Sequence, residues 1–273
     1  MYRLTEINIY PVKSLRGITV DSRQLDAFGL HLDRRWMLID EQNKFLTQRQ
    51  EARMALVEVT LTDGGLELSA PGMSACTIPL QPQTTKVLDV QVWKDTVEAM
   101  VVSQDIDSWL SQFLERKTRL VYMPDSTVRL IDQGYKISKY DQVGFADSFP
   151  FLLISEASLE DLNKRLAQKG EAAVPMHRFR PNLVISGCAP YEEDSWQTIN
   201  IGSCRFHVVK PCSRCVIPTI DRETAEKGRE PIRTLLEYRR VDNKIYFGQN
   251  LVHELQPEQL LSVGDALEVV ALR

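Results

Sequence analysis

The sequence predicts a β-rich α+β fold, and three of its features do so. Short runs of apolar and β-branched residues follow one another closely up to about residue 102. Turn formers such as Asp63-Gly64-Gly65 stand between them. Helical periodicity appears in only a few stretches, the first beginning at residue 104. The N-terminal part therefore reads as a β-barrel or sandwich, followed by a second β-rich part carrying a few helices.

In chain order, residues 2–12 alternate polar and apolar, a strand that ends at Pro11. Lys13–Gly17 turns and Ile18–Leu25 resumes the strand. After a turn at Ala27–Leu30, Arg35–Asp40 is a short buried strand, and Glu41–Lys44 makes a hairpin into Phe45–Gln48. Further strands are expected at Leu56–Thr60, Leu66–Ser69, Cys76–Leu80, Val87–Val92 and Thr96–Val102. Ile106, Trp109, Leu110, Phe113 and Leu114 recur at helical spacing, with Asp105 placed to cap the helix. Leu120–Met123 returns to strand. A second helix begins after Ser155, its N-cap, with Leu159, Leu162 and Leu166 as its apolar stripe. Strands then follow at Leu183–Ile185, Thr198–Ile201, Phe206–Val209, Val216–Ile220, Lys244–Phe247 and Ala266–Val270, with a short helix at Arg233–Tyr238. The boundary between the two parts falls near residue 120.

Length and composition are those of a globular chain: 273 residues, 43% hydrophobic and 26% charged. The net charge of -4 points to neither nucleic acid nor an anionic membrane surface as a partner. The longest apolar runs, such as Phe149–Ile154, are far too short to span a bilayer. The first residues carry no apolar signal core, so the expected location is the cytoplasm. Five cysteines are too few, and odd in number, for a disulfide framework.

The chemistry concentrates at Val208–Asp221, where β-branched runs flank Lys210-Pro211-Cys212-Ser213-Arg214-Cys215. A Cys-x-x-Cys on such a turn has several readings: a redox pair, half a zinc site, a disulfide, one thiolate ligand, or no role. A redox pair needs a following helix to lower the thiol pKa, and Val216–Ile220 looks like a strand. A closed zinc site needs four ligands, with Cys188, Cys204 and His207 as the only further candidates.

Turn-borne cations and small polar residues are scattered elsewhere: Lys13-Ser14, Asp33-Arg34-Arg35-Trp36, Thr47-Gln48-Arg49 and His177-Arg178-Phe179-Arg180-Pro181-Asn182. Singly, each is a solvated loop. Together they suit a phosphorylated, planar anion, because guanidinium forks and lysine pair with phosphate. Asn182 and Gln249 offer amide donors and acceptors for a heterocycle edge. His31 and His253 are expected at the surface, and Cys76 reads as buried filler.

These pieces give the chain a resemblance to the MOSC superfamily, narrowly to its amidoxime-reducing branch. The matching segments are Tyr10–Ser14, Asp33–Trp36 and Thr47–Arg49, then Phe145–Asp147, Phe151–Leu159 and Arg178–Cys188. Glu193–Trp196, Cys212–Cys215 and Phe247–Asn250 follow in the same order. The resemblance implies an N-terminal β-barrel-like domain over residues 1–120 packed with a MOSC β-barrel domain over 121–273. It implies a molybdenum cofactor, a metal-bearing molybdopterin, with Cys215 as the protein ligand to the metal and a catalytic residue. Lys13, Ser14, Arg34, Arg180 and Asn182 match positions that bind the pterin and its phosphate, and Ser213 and Arg214 contribute from the cysteine turn. Asp147 is implied as a second catalytic residue, an acid or a pterin contact, and the role of Cys212 is left open.

The implied reaction is two-electron reduction of an N-hydroxylated compound such as a hydroxylamine, an amidoxime or an N-hydroxy base. Some relatives carry a C-terminal ferredoxin domain, and this sequence ends without one. A separate electron-transfer protein, a flavin or iron–sulfur reductase, is therefore expected. The alternative is a cofactor carrier or sulfur-transfer module with no turnover of its own.

Overall fold

Apolar runs far apart in the chain meet in four sheets in the computed structural model, which describes residues 1–273. The largest sheet has nine strands. Its path runs Leu267–Leu272, Trp196–Ile201, Cys204–Ser213, Lys244–His253, Phe151–Ser155, Leu183–Ser186, Arg3–Ile9 and Ile18–Val20, with Arg240–Val241 beside Lys244–His253. The chain's first strand thus lies among its last ones. Phe151–Ser155 is buried at every position. An unbroken apolar run of this kind is what a strand covered on both faces requires. It pairs parallel with Leu183–Ser186, and such a pair needs a crossover. Helix Glu156–Gln168 supplies it.

A four-stranded sheet joins Trp36–Ile39, Arg119–Tyr122, Asp95–Val101 and Val87–Val92. Two three-stranded sheets complete the β structure: Glu58–Thr62, Gly65–Ser69 and Cys76–Ile78, and Leu260–Ser262, Ser22–Asp26 and Gly29–Leu30. The fold is β-rich with three α-helices, as the strand spacing predicts. No helix is long and apolar enough to cross a membrane.

Two apolar clusters of 18 buried residues each dominate the interior. One lies under the large sheet, where Phe151 and Phe206 meet edge to face with ring centroids 5.1 Å apart. The other gathers around helix Gln104–Leu114, which buries Ile106, Leu110, Phe113 and Leu114. That helix is capped by Ser103, whose hydroxyl accepts from the Asp105 amide. The expected cap, Asp105, already lies inside the first turn. The second helix is capped by Ser155, as the sequence suggests.

Other departures are local. Val216–Ile220 is not a strand: Ile217–Thr219 forms a single 3-10 turn whose Thr219 hydroxyl donates to the Val216 carbonyl. Pro218 has no amide to give a ladder. Phe45 makes only an isolated bridge to Ile39. His253 is buried, its Nε2 at 2.9 Å from the Asp26 carbonyl.

Candidate functional site

Lys13, Ser14, Arg34, Asp147, Arg180, Asn182, Ser213, Arg214 and Cys215 all line one cavity of about 510 Å³. They come from positions 13 to 215 of the chain. Arg49, Lys210 and Trp93 line it too. Its wall carries six cations (Lys13, Arg34, Arg49, Arg180, Lys210 and Arg214) against one carboxylate, Asp147. A net-acidic chain has concentrated positive charge at one place, which raises the local concentration of an anion.

The loops holding these residues are conformationally unusual. Ser14, Arg34, Arg180 and Trp93 have φ of 68°, 49°, 57° and 55°. The left-handed region costs an L-residue roughly 1–2 kcal/mol, so the surrounding bonds must impose it. The Tyr10 ring fixes two of the four. Arg34 lies over it at 4.3 Å and Arg180 at 4.2 Å from the ring centroid. Arg34 donates to Asp33 and, at 2.9 Å, to Asn182 Oδ1, while Arg180 donates to the Leu15 carbonyl at 2.7 Å. Asn182 is almost fully buried and its amide is committed within the protein, to Arg34, Asn8 and the Leu152 amide. It therefore orients Arg34 at the wall. Ser14 lines the cavity, and its carbonyl accepts from Gln48 at 2.7 Å.

Asp147 knits the opposite side. It accepts from Lys13 at 2.5 Å, from Arg49 at 2.9 Å and from the Trp93 indole at 3.2 Å. Burial pushes its carboxyl up, but Lys13 and Arg49 outweigh that and hold it well below the usual carboxylate range. Burial pushes the Lys13 ammonium down to about 8 against the pull of Asp147. Burial also opposes the Arg49 charge, yet Asp147 and the Cys215 thiol beside it raise its pKa. Arg129 fixes the loop behind Asp147: its guanidinium donates to the carbonyls of Gly144, Ala146 and Asp147 and pairs with Asp95 at 2.9 Å.

The two thiols occupy different surroundings. Cys212 is the second-to-last residue of the Cys204–Ser213 strand, packs against an apolar cluster, and receives Arg214 Nη1 at 3.1 Å. Cys215 lies past the strand end and neighbours Arg49. No α-helix begins directly after it, only the single 3-10 turn at Ile217–Thr219, so it lacks the dipole a redox dithiol uses. No three His, Cys, Asp or Glu side chains gather into a metal-holding group. Cys204 lies in the core, and His207 faces Glu254 at 2.7 Å. Gln249 is buried against Asp194 and does not reach the cavity.

Arg49, in the turn Thr47-Gln48-Arg49, and Lys210, just before the cysteine turn, line the cavity but lie outside the residues that the resemblance assigns to the cofactor. Trp93 carried one signal: a bulky aromatic in a two-residue hairpin turn, where glycine, asparagine or aspartate is usual.

Residues 1–117 match the model of the MOSC N-terminal beta barrel domain, and residues 141–268 that of the MOSC domain. The mitochondrial amidoxime-reducing component 1 of Mus musculus is 38% identical over 248 residues, covering 88% of this chain and 72% of that protein. The chain belongs to the MOSC family. The human protein of the same name is 36% identical over 279 residues, covering 96% of this MOSC chain and 81% of its own length. A molybdenum cofactor sulfurase of Danio rerio is 32% identical over 96% of the chain, which spans 33% of that larger protein.

Proposed function

We propose that the protein holds a molybdenum–pyranopterin cofactor in this cavity and uses it to reduce N-hydroxylated compounds. The observation that carries the reading is the wall itself, six cations and a cysteine turn around a cavity with one carboxylate. The donors suit the group. A phosphate-bearing pterin is anionic, and Arg214 Nε is buried beside the cavity without a hydrogen-bond partner. A soft thiolate suits a metal that already carries sulfur ligands. The amidoxime-reducing relatives support the same reading by name.

In this proposal Cys215 ligates the metal. Arg34, Arg180, Lys13, Ser14, Ser213 and Arg214 hold the pterin and its phosphate, with Asn182 orienting Arg34. Bound, the cofactor supplies a two-electron redox centre. The reaction breaks the N–O bond of the substrate, takes up two electrons and two protons, and releases the amine or amidine and water. Asp147 stays ionised at neutral pH, so its part is to anchor Lys13, Arg49 and Trp93 around the substrate space rather than to donate a proton. The proposal divides the chain near residue 120, both parts contributing to the wall. It places the protein in the cytoplasm and draws electrons from a separate flavin or iron–sulfur protein.

The test is metal and pterin content of protein from a cofactor-replete host, beside Cys215→Ala, followed by turnover with a reduced viologen dye. Near-stoichiometric molybdenum and pterin with amidoxime reduction supports the proposal. Cofactor that binds and exchanges without turnover makes the protein a carrier, the reading favoured by its likeness to part of a sulfurase. Zinc without pterin defeats both.

A further inference from the structure

The cavity has four aromatic lining residues, Trp93, Phe149, Phe151 and Phe179. The three phenylalanines are buried, and Trp93 alone is exposed, at 43%. It sits at the tip of the hairpin joining Val87–Val92 to Asp95–Val101, where Asp95 pairs with Val92 and only Trp93 and Lys94 lie between. The first of these two positions has φ of 55°, which a β-turn ordinarily gives to glycine. A large aromatic there works against local folding, and conformations of this kind persist where function needs them.

Three contacts fix how the ring is held. Its indole N–H donates to Asp147 at 3.2 Å, Arg49 lies over it at 5.0 Å from the centroid, and Phe45 packs against it at 5.0 Å. Arg49 is also the neighbour of Cys215. Trp93 therefore lies on the same cavity wall as Arg49 and Cys215, and is open to the cavity.

We infer that Trp93 is the aromatic wall of the substrate subsite, taking the flat, conjugated part of the substrate by stacking. The inference rests on the reductase reading and adds a preference to it: planar, delocalised N-hydroxylated compounds are favoured over small aliphatic ones carrying the same reacting group. Its polar edge is spent on Asp147 and Arg49 lies over the ring, so recognition is by the part of the ring surface left exposed, and it tolerates different planar groups.

The experiment compares benzamidoxime with acetamidoxime, which share the reacting group and differ by the ring. Loaded wild type, Trp93→Leu, Trp93→Phe and Trp93→Gly are studied. Wild type should prefer benzamidoxime. Trp93→Leu should lose about tenfold in KM for it, and several times less for acetamidoxime. Trp93→Phe should recover most of the preference. Calorimetric binding of benzamidoxime to the oxidised protein should weaken by the same factor. Trp93→Gly should melt at or above the wild-type temperature although it binds benzamidoxime poorly, which separates the subsite from a structural role. Equal binding of benzamidoxime by wild type and Trp93→Leu overturns the inference, as does an equal loss for both compounds. If wild type reduces neither compound, the reductase reading fails, and the calorimetric comparison still decides whether Trp93 is an aromatic wall.

Discussion

The core under the large sheet and the cavity beside it share strand Phe151–Ser155, yet they are built on opposite terms. In the core, Phe151, Phe206, Leu251 and Leu183 sit on strands whose backbone suits them, and burial does the rest. At the cavity, Ser14, Arg34, Trp93 and Arg180 hold left-handed conformations that their own chemistry disfavours. Bonds from distant segments impose those conformations: Arg34 N–H to the Tyr10 carbonyl, Phe145 N–H to the Arg34 carbonyl, and Gln48 to Ser14. The core is stabilised by what its residues are, and the cavity is held by where its neighbours are.

Five substitutions probe that contrast. The largest effect is expected at Cys215→Ala, which should abolish turnover and molybdenum retention. The cofactor-free protein should lose only about 1 kcal/mol or less, since the residue is half-buried. Cys212→Ala should be milder in activity. Equal turnover in wild type and Cys215→Ala would remove the ligand assignment.

In the core, Phe151→Ala should cost about 3–5 kcal/mol in urea unfolding through the cavity it leaves. A loss below about 1 kcal/mol would show that the sheet interior relaxes freely. Asp147→Asn should come next. Its carboxyl titrates below the ordinary value, about 4, so the unfolded chain binds the proton first as pH falls. The stability it contributes is complete above that value and is lost as pH drops through the folded one. The variant should be less stable at pH 7 and show a flatter acid limb, and parallel acid limbs would rule this out.

Ser14→Gly should have the smallest effect and the opposite sign, gaining about 0.5–1 kcal/mol by relieving a left-handed residue while weakening cofactor retention. A loss of stability would mean that the Ser14 hydroxyl supports the fold rather than the cavity.

The same contrast explains what the sequence made legible. Alternation and helical spacing located Arg3–Ile9, Gln104–Leu114 and Glu156–Gln168, because burial of one face leaves a periodic trace. Site residues could be picked from turns by chemistry and by resemblance, and the structure brings those the resemblance assigns to one wall, while Gln249 stays outside it. Their conformations left no trace, since nothing in the letters for Ser14 or Arg180 encodes a left-handed backbone. Depth was also hidden: His253 looked like a surface residue and is buried by a carbonyl partner 227 positions away. At Val216–Ile220 the β-branched run suggested a ladder, but Pro218 and the end of the preceding strand turned it into a 3-10 turn.

The placement of the first strand among the last has a consequence for how the protein is made. Arg3–Ile9 pairs with Leu183–Ser186, and Ser22–Asp26 pairs with Leu260–Ser262 near the C-terminus. A nascent chain emerging N-terminus first must carry these early strands with unpaired edges until their partners have been synthesised. The cavity wall likewise includes Asn250, so the complete pocket forms only after the chain through that residue has been made.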